Sequence, residues 1–174
     1  MGRRKRLITA HGKKFHKKNV WIVVPAYNES KYLDTVLKKL QKQTKNIIVV
    51  DDGSKDDTTK IAQKKAAHVL THSVNLGKGA ALKTGCDWAF SNLGAEAVVV
   101  LDGDDHHDPA QIDLFIQPLM RGAEVVFGVR DLFVMPVIRQ FGNQLGSWMI
   151  FLLFGRYLPD IPSGYKSFTK VAYL

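Results

Sequence analysis

The strongest constraint on the fold is a repeated unit: a short apolar run, a polar cluster directly after it, then a stretch with helical spacing. Residues 20–24 lead into Pro25-Ala26-Tyr27-Asn28-Glu29, and residues 47–50 into Asp51-Asp52-Gly53-Ser54. Residues 68–71 come before Asn75-Leu76-Gly77-Lys78-Gly79, and residues 97–101 before Asp102-Gly103-Asp104-Asp105-His106-His107-Asp108. The run at 47–50 is apolar at every position, the pattern of a strand covered on both faces in a parallel sheet. Between the first two runs, Leu33, Val36, Leu37 and Leu40 recur at helical spacing, with Lys31, Lys38, Lys39 and Lys42 on the opposite face. A second helix is predicted over residues 58–67, capped by Asp56 or Asp57, and a third over residues 77–92. Asp108-Pro109 opens another, residues 124–127 read as a fifth strand, and residues 138–157 as a helix. The chain is then expected to turn through Pro159 and Pro162.

This alternation predicts an α/β fold: a Rossmann-like, mainly parallel sheet flanked by helices. Ligands of such sheets gather beyond the carboxyl ends of the strands. All four polar clusters follow apolar runs, so all four are expected at one rim.

Charge sorts the chain into two parts. Residues 1–18 hold eight of the 25 basic residues and no acid, whereas the remaining 17 basic residues face 16 acidic ones. Residues 1–18 are therefore expected to be a flexible basic tail and residues 19–174 a single folded domain. Such a tail can hold an anionic membrane surface. The body carries no nucleic-acid recognition motif, so no specific nucleic-acid partner is expected. Cys86 is the only cysteine, which excludes an intrachain disulfide. The tail has no apolar signal-peptide core, and the longest apolar run, residues 148–154, is far short of the ~20 residues that span a bilayer. A cytoplasmic protein, possessing at most a peripheral hold on the cytoplasmic membrane face, is the expectation.

Asp102 and Asp104 carry the sharpest chemistry. Crowded carboxylates repel unless a cation offsets them, and a hard divalent ion with oxygen ligands can do so while bridging to a diphosphate. The alternative is a solvated acidic turn. Asp51 and Asp52 can accept hydrogen bonds from a base N–H or ribose hydroxyls. Asp-Gly-Ser is also ordinary turn chemistry, and one acid can turn the chain while the other faces a ligand. Lys78, between Gly77 and Gly79, places a cation where backbone can approach a phosphate. It also suits a plain helix N-terminus. His106 and His107 lack the spread of partners that a tetrahedral zinc site needs.

In order, the segments VPAYNE, VVDDGSKDDT, NLGKGAALKTG, VVVLDGDDHHDP, FGVR and DIPSGYKSF resemble the family 2 glycosyltransferases. Within that family they are most similar to the dolichyl-phosphate (polyprenyl-phosphate) mannose and glucose synthases. The resemblance covers about residues 20–170. It implies a GT-A fold, a GDP- or UDP-sugar donor, Mg²⁺ or Mn²⁺, and inversion by direct displacement at the anomeric carbon. By this resemblance Pro25, Tyr27, Glu29 and Asp52 surround the nucleoside, with Asp51 close by, and Asp102 and Asp104 reach the ion and the diphosphate. Arg130 and Arg139 match arginines that meet the phosphate of a polyprenyl-phosphate acceptor, and Ser163, Gly164 and Lys166 match an acceptor-side loop.

Two features depart from the pattern. Synthases of this type often carry Gln two residues after the second metal aspartate, where this chain has His106, a candidate third ligand that favours softer ions. Relatives also usually continue beyond the position of Leu174, so the chain reads as C-terminally shortened. The apolar run at 148–154, near the acceptor arginines, suits either a bilayer contact or a core helix. A glycan hydroxyl is the alternative acceptor. It would need a carboxylate base, for which Asp160, the only acid after Asp131, is the candidate. A non-catalytic nucleotide-sugar binding module is a further alternative. A nucleotidyltransferase is disfavoured because VPAYNES has no glycine- and arginine-rich phosphate loop.

Overall fold

The computed structural model describes residues 17–103, 108–128 and 165–174. In chain order the elements are β1 (Val20–Ala26), α1 (Ser30–Gln41), β2 (Ile47–Asp51), α2 (Thr58–Gln63), β3 (His68–Thr71), α3 (Lys78–Asn92), β4 (Ala97–Val100), α4 (Ile112–Met120), β5 (Val125–Phe127), β6 (Lys166–Thr169) and α5 (Lys170–Tyr173). The strands form one sheet in the order β3-β2-β1-β4-β6-β5. β1 pairs in parallel with β2 and β4, and β2 with β3. β6 is inserted antiparallel between β4 and β5.

Helices cover both faces. On one, Leu33, Val36, Leu37 and Leu40 of α1 and Ile112, Phe115, Ile116 and Leu119 of α4 join a core with Ile22, Val24, Ile47 and Val49. On the other, Ala81, Cys86, Ala89 and Phe90 of α3 pack with Val23, Ile48, Val50, Val98 and Val100. Four of the five buried residues of α3, Ala81, Gly85, Cys86 and Ala89, are small, and the helix lies close to the sheet. A Cβ on Gly85 would come within 2.5 Å of Val23 Cγ1 and 2.9 Å of Val50 Cγ2. The close packing fixes α3 over β1 and β2, with its N-terminus at the rim where those strands end.

The expected strands are present, with instructive shifts. β1 runs through Pro25, which the sequence reading placed after the strand. The Ile22 N–H donates to the Asn46 carbonyl, and the Ala26 carbonyl accepts from Asp52 N–H, so even-numbered residues of β1 bond toward β2. Pro25 therefore faces the β4 side, beyond the last β1–β4 pair, Val23–Val100, where no ladder donor is needed. α2 ends at Gln63 rather than 67, and the Ala67 N–H is captured by the Ile47 carbonyl as the chain enters β3. β6 was not expected. Lys166, assigned by resemblance to a loop, is a strand residue paired with Val100 and Phe127. Lys17, assigned to the tail, lies in a short 3₁₀ turn (Lys17–Asn19) and pairs with Asp113 of α4 at 2.6 Å.

The insertion of β6 has a topological consequence. β5 ends, and β6 begins, at the rim where β4 delivers Asp102. The two chain segments are joined there by the Gly128 N–H donating to the Tyr165 carbonyl at 2.9 Å. Gly128 and Tyr165, the described residues on either side of 129–164, thus meet at that rim.

Candidate functional site

The loops after β1 and β2 are tied together by side-chain oxygens. The Asn28 N–H donates to Ser54 Oγ at 2.9 Å, the Lys55 N–H to Asn28 Oδ1 at 2.9 Å, and the Glu29 N–H to Thr58 Oγ1 at 2.9 Å. Asp56 accepts from the Ser30 N–H at 3.1 Å and from both the N–H and the hydroxyl of Thr58. Asn28 takes φ = 55°, a left-handed conformation that asparagine tolerates better than most residues. These bonds set the position of Tyr27 and Glu29. Desolvation pushes the Asp56 carboxyl up, but the hydrogen bonds from Thr58 and Ser30 outweigh it and bring the pKa to about 2.

The two adjacent aspartates divide the work. Asp51 is fully buried, accepts from the Ser54 N–H at 3.0 Å and from the Thr59 hydroxyl, and forms the turn. It is not among the residues that line the cleft, to which its neighbour Asp52 belongs. Asp52 does line it, yet most of its acceptor capacity is engaged within the protein. It accepts from Leu76 N–H at 2.9 Å and Gly77 N–H at 2.8 Å, and contacts His72 Nδ1 at 2.7 Å. Burial alone would raise this carboxyl. The bonds from Leu76, His72 and Gly77 more than compensate, and hold it below the usual carboxylate range. Gly53, at φ = +75°, lets the loop before α3 come close: a Cβ there would lie 2.6 Å from the Val74 carbonyl carbon.

This loop delivers Lys78. Its ammonium contacts both carboxylate oxygens of Asp102, at 2.7 Å and 2.8 Å. The Asp102 side chain is 16% exposed and that of Lys78 52% exposed. A largely desolvated carboxylate requires a cation, and a carboxylate lining a cleft suits a divalent ion as well as an ammonium. Among the described residues no three metal-ligating side chains cluster. Asp104 and His106, the other expected ligands, lie outside the described residues.

Pro25, Tyr27, Glu29, Asp52, Lys78 and Asp102 line one cleft of about 370 Å³. Asn75, Gly77 and Gly103 share it. Four strand ends therefore contribute to a single space, as the rim rule requires. Lys166 lies elsewhere, in a groove of about 570 Å³ between α3 and β6 with Leu82, Cys86 and Phe168. Burial, more than the nearby Asp87 charge, pushes the Cys86 thiol up to about 12, which leaves it inert. Arg130, Arg139, Asp160, Ser163 and Gly164 fall outside the described residues. Sequence reasoning missed His72. Its only signal was position, directly after Thr71 at the end of β3.

Residues 21–166 match the family model for glycosyl transferase family 2. The chain belongs to glycosyl transferase family 2. This family 2 chain is 35% identical to a UDP-N-acetylglucosamine–dolichyl-phosphate N-acetylglucosaminyltransferase of Methanococcus voltae, over 89% of the chain and 71% of that protein. It is 29% identical to the undecaprenyl-phosphate mannosyltransferase of Micrococcus luteus, over 86% and 65% respectively. Among solved structures it is similar to glucosyl-3-phosphoglycerate synthase from Mycobacterium tuberculosis, crystallised with Mn²⁺, UDP and glucosyl-3-phosphoglycerate. That likeness has a TM-score of 0.64 at 22% identity, over 88% of this chain and 57% of the other. It establishes the shared GT-A fold. The family 2 chain spans 57% to 71% of the length of these proteins. No helix among the described residues is long and apolar enough to cross a membrane.

Proposed function

We propose that this family 2 glycosyltransferase holds a nucleotide-diphosphate sugar in the 370 Å³ cleft and transfers the sugar, with inversion, to a polyprenyl phosphate. The observation that carries this reading is the convergence of Pro25, Tyr27, Glu29, Asp52, Lys78 and Asp102 on one space, with the ammonium of Lys78 against the carboxylate of Asp102. Two of the relatives, by name, act on dolichyl and undecaprenyl phosphate, which supports the acceptor class.

In this reading the walls at Pro25 and Tyr27 take the nucleoside. Asp102, with Asp104 and His106 as its expected companions, holds Mg²⁺ or Mn²⁺. When bound, the ion supplies Lewis-acid stabilisation of the leaving diphosphate. Lys78 adds a second positive charge where negative charge gathers as the anomeric C–O bond breaks. A phosphate oxygen of the acceptor attacks the anomeric carbon from the opposite side, and the nucleoside diphosphate departs with the bonding pair. The acceptor is already an anion near neutral pH and needs no base. Arg130 and Arg139 orient it, with Ser163 and Gly164. Lys166, which lies in the separate groove between α3 and β6, is given no part in holding that anion. The basic residues 1–16 give the enzyme a peripheral hold on an anionic membrane face.

Calorimetric titration of UDP and GDP, each with and without Mn²⁺, tests the donor half. One of the two is expected to bind in a metal-dependent way, and metal-independent or absent binding of both would overturn the reading. Transfer to a short polyprenyl phosphate tests the acceptor half. Donor binding without transfer would reduce the chain to a nucleotide-sugar binding module.

A further inference from the structure

His72 has no part in the chemistry just described, yet it occupies the junction of three elements. Its backbone N–H donates to the Asp51 carbonyl at 2.9 Å, extending the β2–β3 ladder by one residue. Its ring then turns inward, with the side chain only 11% exposed. Nδ1 lies 2.7 Å from Asp52 Oδ1, and Nε2 lies 3.0 Å from the hydroxyl of Thr84 in α3. A carboxylate only accepts, so Nδ1 carries a hydrogen and donates to Asp52. The same Oδ1 accepts from the Leu76 N–H, while Oδ2 accepts from the Gly77 N–H. The next residue is Lys78, bonded to Asp102. A single relay therefore runs from α3 through Thr84, His72 and Asp52 to the turn that presents Lys78.

We propose that His72 is a positioning residue of the donor site. It fixes the rotamer of Asp52, and Asp52 in turn fixes the N–H groups of Leu76 and Gly77, so that Lys78 meets the donor diphosphate without prior rearrangement. Without the imidazole, the carboxylate keeps its backbone partners but loses the contact that holds its plane. Lys78 then samples orientations away from Asp102. The inference rests on the donor reading above, since it assigns His72 a role through that same cleft.

The test is Mn²⁺-dependent UDP or GDP affinity, whichever the wild type binds, measured by calorimetry on the full chain. His72→Phe removes both ring contacts. It is expected to weaken binding about tenfold, the size associated with loss of a hydrogen bond to a charged group. His72→Asn retains a donor near the Nδ1 position, and is expected to stay within about threefold of wild type, as is Thr84→Val, which removes only a neutral contact. Coupling separates positioning from general support. In a Lys78→Ala background the His72→Phe effect is expected to shrink below about twofold, because residues acting through one another are non-additive. Full additivity with Lys78→Ala, or equal losses in the Phe and Asn variants, would overturn the proposal. So would unchanged affinity in His72→Phe. If His72→Phe fails to fold, His72→Leu, which also removes both ring contacts, replaces it, alone and combined with Lys78→Ala, under the same criteria. Wild type that binds normally while the variants show no coupling sinks the inference alone, whereas wild type that binds neither nucleotide sinks the donor reading with it.

Discussion

The sheet is held differently on the two sides of β4. On the β3-β2-β1 side, loop is bonded to loop by directional contacts: Asn28 to Ser54 and Lys55, Glu29 to Thr58, Asp52 to Leu76 and Gly77. On the β6-β5 side, the described residues are held by strand pairing, by Tyr165 stacked on Phe115 at 3.8 Å between centroids, and by the Ser167 hydroxyl donating to the Phe115 carbonyl. Directional bonds specify where a polar atom must sit. Packing specifies only that volume is filled. The first half fixes polar groups around the cleft, and the second carries the chain back to the rim.

Perturbations of unequal size sharpen this contrast. The largest effect is expected from replacing Asp102 and Asp104 together with Asn, which should weaken metal-dependent nucleotide binding by about a hundredfold or more. Titration with and without Mn²⁺ measures it, and unchanged metal dependence would break the assignment of a charge site to the parallel half. Arg139→Ala probes the proposed acceptor role. Transfer to a polyprenyl phosphate is expected to fall about tenfold while nucleotide affinity holds within about twofold. Parallel loss in both assays would show that the acceptor role is not separable from donor binding.

Gly85→Ala tests the close seat of α3. With a Cβ 2.5 Å from Val23 Cγ1, stability in urea should drop by about 1–3 kcal/mol. A neutral result would mean that the helix can slide, and that the donor half is less rigid than its bonds suggest. Asp56 gives a pH signature. Its folded pKa of about 2 lies below the ordinary aspartate value of about 3.9. A depressed carboxyl contributes stability that is complete above the ordinary value and is lost as pH falls through the folded one. Asp56→Asn should therefore flatten the acid limb between about pH 4 and pH 2 in a series of urea titrations. An identical acid limb would argue that the loop bonds add nothing. The smallest effect belongs to Lys17→Ala. Both partners of the Lys17–Asp113 pair are nearly half exposed, so thermal unfolding should register less than about 0.5 kcal/mol.

Much of this was legible in the residues. The runs that became β2 and β4 are buried at every position, as a strand covered on both faces should be. Tyr27, Glu29, Asp52, Lys78 and Asp102 were legible because each follows a strand, and the rim rule then gathers them. Pro25 inside β1 was not, because its tolerance depends on which neighbour its missing N–H would face. Nor was β6. Lys-Ser-Phe-Thr has no apolar run, and its strand form comes from pairing on both edges with β4 and β5. Asp51 and Asp52 are adjacent and chemically identical, so only the end of β2 decides which one turns the chain. His72 acts on residues 20 and 12 positions away, a distance that no local pattern records.

The Gly128–Tyr165 bond clamps two distant points of the chain side by side. With those points held together, doubling the length of chain between them costs only about 0.6 kcal/mol of further closure entropy. A change of length between them can be absorbed without disturbing the pairing of β4, β5 and β6.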